Sequence, residues 1–208
     1  RLDVMSAQSG TDMDNGNAHF TVQEKLAIGW LNTTTLQTVS SSGTYRLYRH
    51  DERTASGARR GIKINPVSSD YTVNNRKYWL EYRQKFTDLY AIMNGLCVNW
   101  GKDPYNSLDT DGSTMLDMTP QSNDGPRSGT LYLDDNTDKL DGALLVGRTY
   151  SDSAAGIHIT PIGKGGAAPN EWLDVVVNLG TFPGNQLPVA TLNADKTRIN
   201  IVLGVTEG

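Results

Sequence analysis

The chain has 208 residues, 37% of them hydrophobic and 20% charged, with a formal net charge of −4 and a pI near 5.3. That length suits one domain of ordinary size with room for a short extra module, and the apolar content lies above the range of disordered chains. The acidic balance and the lack of a basic stripe argue against a nucleic-acid partner, and no apolar run reaches the roughly 18 residues of a membrane span.

Residues 1–17 are rich in Ser, Gly, Asn and Asp and read as turn and loop. The strongest helical pattern covers 19–31, with Phe20, Leu26, Ala27 and Trp30 at helical spacing. Thr21 and Glu24 have the spacing of a capping box, and Gly29 suits the helix end. Strand patterns then dominate: Thr44–Arg49, Gly61–Ile64, Lys77–Arg83, Leu96–Trp100, Thr114–Met118, Arg148–Tyr150, Gly156–Ile162 and Leu173–Leu179. Trp79 and Leu80 fall on opposite faces of their strand, so that strand is expected to be covered on both sides. Gly163–Gly166 lacks the spacing of a phosphate-binding loop and reads as a hairpin turn. Gly180–Pro188 has linker chemistry, and Val189–Thr197 follows it as a further strand-like run.

Short strands at regular spacing, separated by Gly/Asp/Asn/Ser clusters, predict a mainly β chain. The expected fold is an antiparallel β-sandwich preceded by a loop and one short helix. Three segments follow: 1–31 as loop and helix, 32–180 as the sandwich, and 181–208 as a linker with the start of a further β module or a tail.

Few residues carry chemistry. Cys97 is the only cysteine, which rules out an intrachain disulfide and a cysteine zinc site; it reads as a small buried hydrophobe. Glu81 and Arg83 flank Tyr82, so both project from one strand face; they could contact substrate or a neighbouring loop, and a salt-bridged strand face supporting the fold is the favoured account. His158 alternates with two isoleucines and is expected to face solvent. The three histidines, His19, His50 and His158, are too scattered for a helical metal motif. Two acidic loops offer oxygen ligands at the spacing a calcium ion uses: Asp109 with Asp111, and Asp134, Asn136 and Asp138 with Asp141. Asp/Asn-rich turns also form for backbone reasons alone, and that simpler account is favoured for each loop.

One succession of blocks runs through most of the chain. It begins with Asp3-Val4-Met5-Ser6 and the His19–Leu31 segment. Ser42-Gly43-Thr44-Tyr45-Arg46-Leu47, Tyr78–Gln84 and Leu116-Asp117-Met118-Thr119-Pro120 follow, and Asp141–Asp152 and Gly156–Thr160 close it. In this order the blocks resemble the carboxy-terminal half of gametolysin-type zinc metallopeptidase domains, across roughly residues 3–180. The resemblance implies that Asp3–Ser6 is a methionine turn, with Met5, and Asp3 beside it, forming the floor beneath a zinc site. A thioether is soft and adapts its shape to such a role. In that family a His-Glu-x-x-His helix precedes this turn and supplies zinc ligands and a general base. Here only Arg1 and Leu2 precede it, and the chain contains no His-Glu pair.

The resemblance therefore implies the carboxy-terminal part of a secreted, extracellular zinc endopeptidase. Its substrate would be a protein or peptide, its zinc ligands would lie outside these residues, and the chain by itself is expected to be monomeric and inactive. Two alternatives stay open. One is a non-enzymatic binding or adhesion module using Tyr45, Tyr48, Tyr78, Trp79 and Tyr82. The other is a pseudopeptidase that never had the zinc helix.

Overall fold

The computed structural model describes residues 20–52, 57–65, 76–84, 93, 95–103, 113–119 and 142–181, and the backbone of 186–192 and 199–204. The first element is helix α1 (Val22–Ala27). Thr21 and Glu24 close the capping box anticipated from their spacing. The helix is shorter than its hydrophobic pattern suggests because Gly29 takes a positive φ of 77°. The Trp30 and Gly29 N–H groups then donate back to the carbonyls of Lys25 and Leu26, a Schellman closure. Trp30, expected on the buried face, is 64% exposed and rests edge-on against Phe20.

Twelve strands are described: β1 (Leu36–Val39), β2 (Gly43–Tyr48), β3 (Gly61–Ile64), β4 (Arg76–Glu81), β5 (Gly95–Lys102), β6 (Thr114–Met115), β7 (Leu144–Leu145), β8 (Tyr150–Asp152), β9 (Ile157–Gly165), β10 (Trp172–Leu179), β11 (Gln186–Leu192) and β12 (Ile199–Gly204). The fold is mainly β, as the strand patterns predict. One sheet runs β1-β3-β4-β5-β6, with β7 also on β5; the other runs β2-β10-β9-β8. Pairing is antiparallel except between β1 and β3, which are parallel. β1 is one of the strands sequence periodicity missed, together with β7 and β12. β11 and β12 pair with each other as a separate two-stranded sheet. β9 continues through Gly165, so the Gly163–Gly166 run is mostly strand and the turn begins at Gly166, where φ is 85°.

The two larger sheets share one core. Ile62, Ile64, Tyr78, Leu80, Leu96 and Val98 project from the first, and Leu47, Ile157, Ile159, Leu173, Val175 and Val177 from the second. Each set recurs with period two, the alternation that places one strand face inward. A hydroxyl relay ties the sheets at one end: Tyr78 Oη donates to Asp152 Oδ2 at 2.6 Å and lies 3.0 Å from Tyr150 Oη.

The outer face of the first sheet is covered as well. Trp79 (4% exposed), Cys97 and Asn99 point away from the core yet are buried, so β4 is enclosed on both sides as expected. Helix α1 covers part of this face through two glycines. A Cβ on Gly61 would stand 2.4 Å from Val22 Cγ1, and one on Gly101 would stand 2.1 Å from Gln23 Oε1. Only residues without a side chain let the helix lie this close to the strands. Among the described residues, no helix is long and apolar enough to cross a membrane.

Candidate functional site

Beneath α1, the β4 face carries charge into the interior. Glu81 and Arg83 are 1% and 3% exposed. They share a face, as their spacing predicts, and form a buried pair there. Glu81 Oε1 accepts from Arg83 Nε at 2.9 Å and from Arg83 Nη2. Its other oxygen accepts the Val22 N–H at 2.8 Å, which binds the first residue of α1 to β4. His50 approaches the same oxygen, with Nε2 at 3.6 Å, an ion-pair distance beyond hydrogen-bond reach. Lys25 completes the set from the helix, donating from Nζ to the His50 carbonyl at 2.6 Å.

The electrostatics follow from this geometry. Burial by itself would raise the Glu81 carboxyl. The Arg83 guanidinium, then His50 and the Val22 N–H, overcome that and hold it well below the usual carboxylate range. Burial lowers the Lys25 ammonium to about 8, against the pull of Glu81. Burial likewise lowers His50, which favours the neutral ring. Cys97 is fully buried and its thiol is pushed up to about 12 by burial, the inert small hydrophobe its sequence context suggested.

A second ionic group adjoins the first through the backbone of 49–51. Arg49 Nε donates to Asp51 Oδ1 at 2.7 Å, and Arg49 Nη1 reaches Glu171 at 3.1 Å and Glu52 at 3.1 Å. Asp51 Oδ2 accepts the Gln84 N–H at 2.7 Å. This carries the charged network from the end of β2 to the residues beyond β4 and just before β10. The arrangement orients and fastens: Arg49 and Asp51 are buried within it, and Glu52 carries it out to the surface.

The described histidines do not offer themselves to a zinc ion. His158 is 3% exposed, not solvent-facing as expected. Its Nε2 lies 3.1 Å from the Gly180 carbonyl and its Nδ1 3.0 Å from Oγ of Ser151, its cross-strand neighbour on β8, so both ring nitrogens are engaged. His50 is enclosed beside Glu81. Both imidazoles are buried and engaged with protein neighbours, and among the described residues no group of three or more His, Cys, Asp or Glu stands together as a metal site. These residues do not fit zinc, and no chemical step is assigned through it.

The remaining sequence candidates, Asp3, Met5, His19, Asp109, Asp111, Asp134, Asn136, Asp138 and Asp141, lie outside the described residues. Of the aromatics considered for a binding face, Tyr78, Trp79 and Tyr82 are buried, while Tyr45 and Tyr48 are partly so. Sequence reasoning missed Lys25 and His50 as members of the charged cluster. The available signal was a lysine inside an otherwise amphipathic turn next to a predicted cap. Comparison with protein-family models, with curated proteins and with solved structures found no match.

Proposed function

We propose that this chain is the carboxy-terminal part of a secreted zinc endopeptidase of gametolysin type, in which the β-sandwich serves as a rigid support for the segment that carries Met5. In the active enzyme, zinc held by residues outside this chain would supply the water-activating chemistry. The residues of this chain bind and orient. Glu81 and Lys25 hold α1, the helix that follows the methionine-turn sequence, against the sandwich.

The observation that carries the proposal is the Val22–Glu81 bond. The resemblance rests on sequence blocks, and two of them, the His19–Leu31 segment and Tyr78–Gln84, meet through this buried contact. Blocks recognised separately along the chain therefore act as one mechanical unit, as parts of a single peptidase domain would. Burial of Tyr78, Trp79 and Tyr82 favours a structural role for those rings over adhesion through them.

Two measurements test the proposal. Residues encoded upstream of Arg1 are expected to include His-Glu-x-x-His; a complete precursor without that motif would leave the pseudopeptidase in its place. The purified 208-residue chain, supplied with zinc, is expected to leave casein intact. Cleavage that chelation abolishes would sink the assignment of the catalytic ligands to residues outside the chain.

A further inference from the structure

On the covered outer face of the first sheet, three polar side chains end in buried atoms without hydrogen-bond partners: Gln23 Oε1, Asn99 Nδ2 and Ser113 Oγ. Their residues are 2%, 1% and 4% exposed, so bulk water does not serve them. Buried polar atoms of this kind are uncommon in folded proteins, and each calls for a partner.

The three belong to one neighbourhood. Asn99 and Gly101 lie two residues apart on β5 and so project to the same side. β6 pairs with β5 at Asn99↔Met115 and Trp100↔Thr114, and continuing that register sets Ser113 opposite Gly101. Directly opposed positions stand about 5 Å apart between Cβ atoms. Gln23 reaches the same point from above: its Oε1 comes within 2.1 Å of where a Gly101 Cβ would be. The orientation of the Gln23 amide follows from its other contact. Nε2 meets the Lys102 carbonyl, which can only accept, so the remaining atom is the oxygen and needs a donor.

The set is chemically complementary. It contains an acceptor on Gln23, a donor on Asn99 and a hydroxyl on Ser113 that does either. No charged group belongs to it; the nearby Lys63 and Asp103 are bonded to each other at 2.7 Å. A metal ion or an oxyanion would find no compensating charge here. We propose that Gln23, Asn99 and Ser113 form a binding site for one internal water molecule. That water accepts from Asn99, donates to Gln23 and exchanges a third bond with Ser113, joining helix α1 to β5 and β6. Three protein partners are typical of a long-lived buried water, and the bridge ties the helix to a part of the sheet that the Glu81 contact does not reach.

A crystal structure of the full chain that resolves ordered solvent is expected to show one water about 3 Å from all three atoms. Direct bonds among the three side chains, or clear density with no solvent peak, would overturn the site. Magnetic relaxation dispersion of water gives an independent reading in solution. Asn99→Ala/Ser113→Ala is expected to lose one long-lived water relative to the parent; an unchanged number counts against the site. Should the double variant fail to fold, Ser113→Ala alone is measured for shortened residence of that water, and unchanged residence again counts against it.

Discussion

Glu81 joins three separate parts of the molecule. One carboxylate receives Arg83 on one oxygen and the helix N–H of Val22 on the other, with His50 beside it. Removing one member of such a group leaves its partners charged and buried, which costs about 3–5 kcal/mol. Glu81→Gln is therefore expected to lower the denaturation free energy by about 3 kcal/mol, read from urea unfolding. A loss below about 1 kcal/mol would show the pair to be no stronger than a surface one. The same residues set a pH response. The folded pKa of His50 lies below its ordinary 6.5, so the unfolded chain takes up the proton first and stability falls as pH drops through 6.5. Glu81 is also depressed, from 4.5, so its contribution is present above 4.5 and is lost as pH falls further. Lys25 acts in the opposite window: between about 8 and 10.5 the unfolded chain holds the extra proton, and stability rises with pH. Melting temperature followed across pH should decline from 6.5 downward, and His50→Gln should flatten the upper part of that decline. An unaltered profile in His50→Gln would remove His50 from the response.

At the scale of elements, α1 illustrates what a short helix needs. Six residues are too few to hold a helix by propensity. Its capping box, Schellman closure and seat on the sheet do so together. The seat depends on missing side chains: Gly61→Ala would drive a methyl against Val22 Cγ1, 2.4 Å away on an otherwise unchanged backbone. Overpacking of this kind costs about 1–3 kcal/mol. Gly61→Ala is expected to speed hydrogen exchange of the α1 amides, and Val22→Ala in the same chain should restore part of the protection. Exchange left unchanged by Gly61→Ala would mean that the helix does not depend on this close approach. The strands show which local signals suffice. Gly61–Ile64 is a strand at the residues its alternation marks, and β4 and β10 lie within a residue or two of theirs. β1, with Leu36-Gln37-Thr38-Val39, carries too short a pattern to stand out; its parallel partner β3 fixes it, through contacts distant in sequence.

For the molecule as a whole, the decisive feature is one core shared by two sheets. Ile159 and Leu80 come from different sheets and are both fully buried in it. Truncating either to Ala is expected to cost about 2–5 kcal/mol. Fluorescence and far-ultraviolet circular dichroism should then report a single coincident transition. Separate transitions would mean that the sheets unfold independently. The mainly β class, the helix cap and the buried Cys97 were decided by the sequence alone, because period-two alternation, a Thr-x-x-Glu cap and an isolated apolar thiol are local patterns. Tertiary structure decided the rest. His158 alternates like a solvent-facing residue, yet it is buried and hydrogen-bonded to Ser151 and to the Gly180 carbonyl. Glu81 and Arg83 share a strand face by their spacing alone, but that a helix some sixty residues earlier in the chain binds Glu81 is a tertiary fact. Whether a polar side chain on an outer strand face meets water depends on which segment folds across it, and that contact is made between residues whose separation no local pattern encodes.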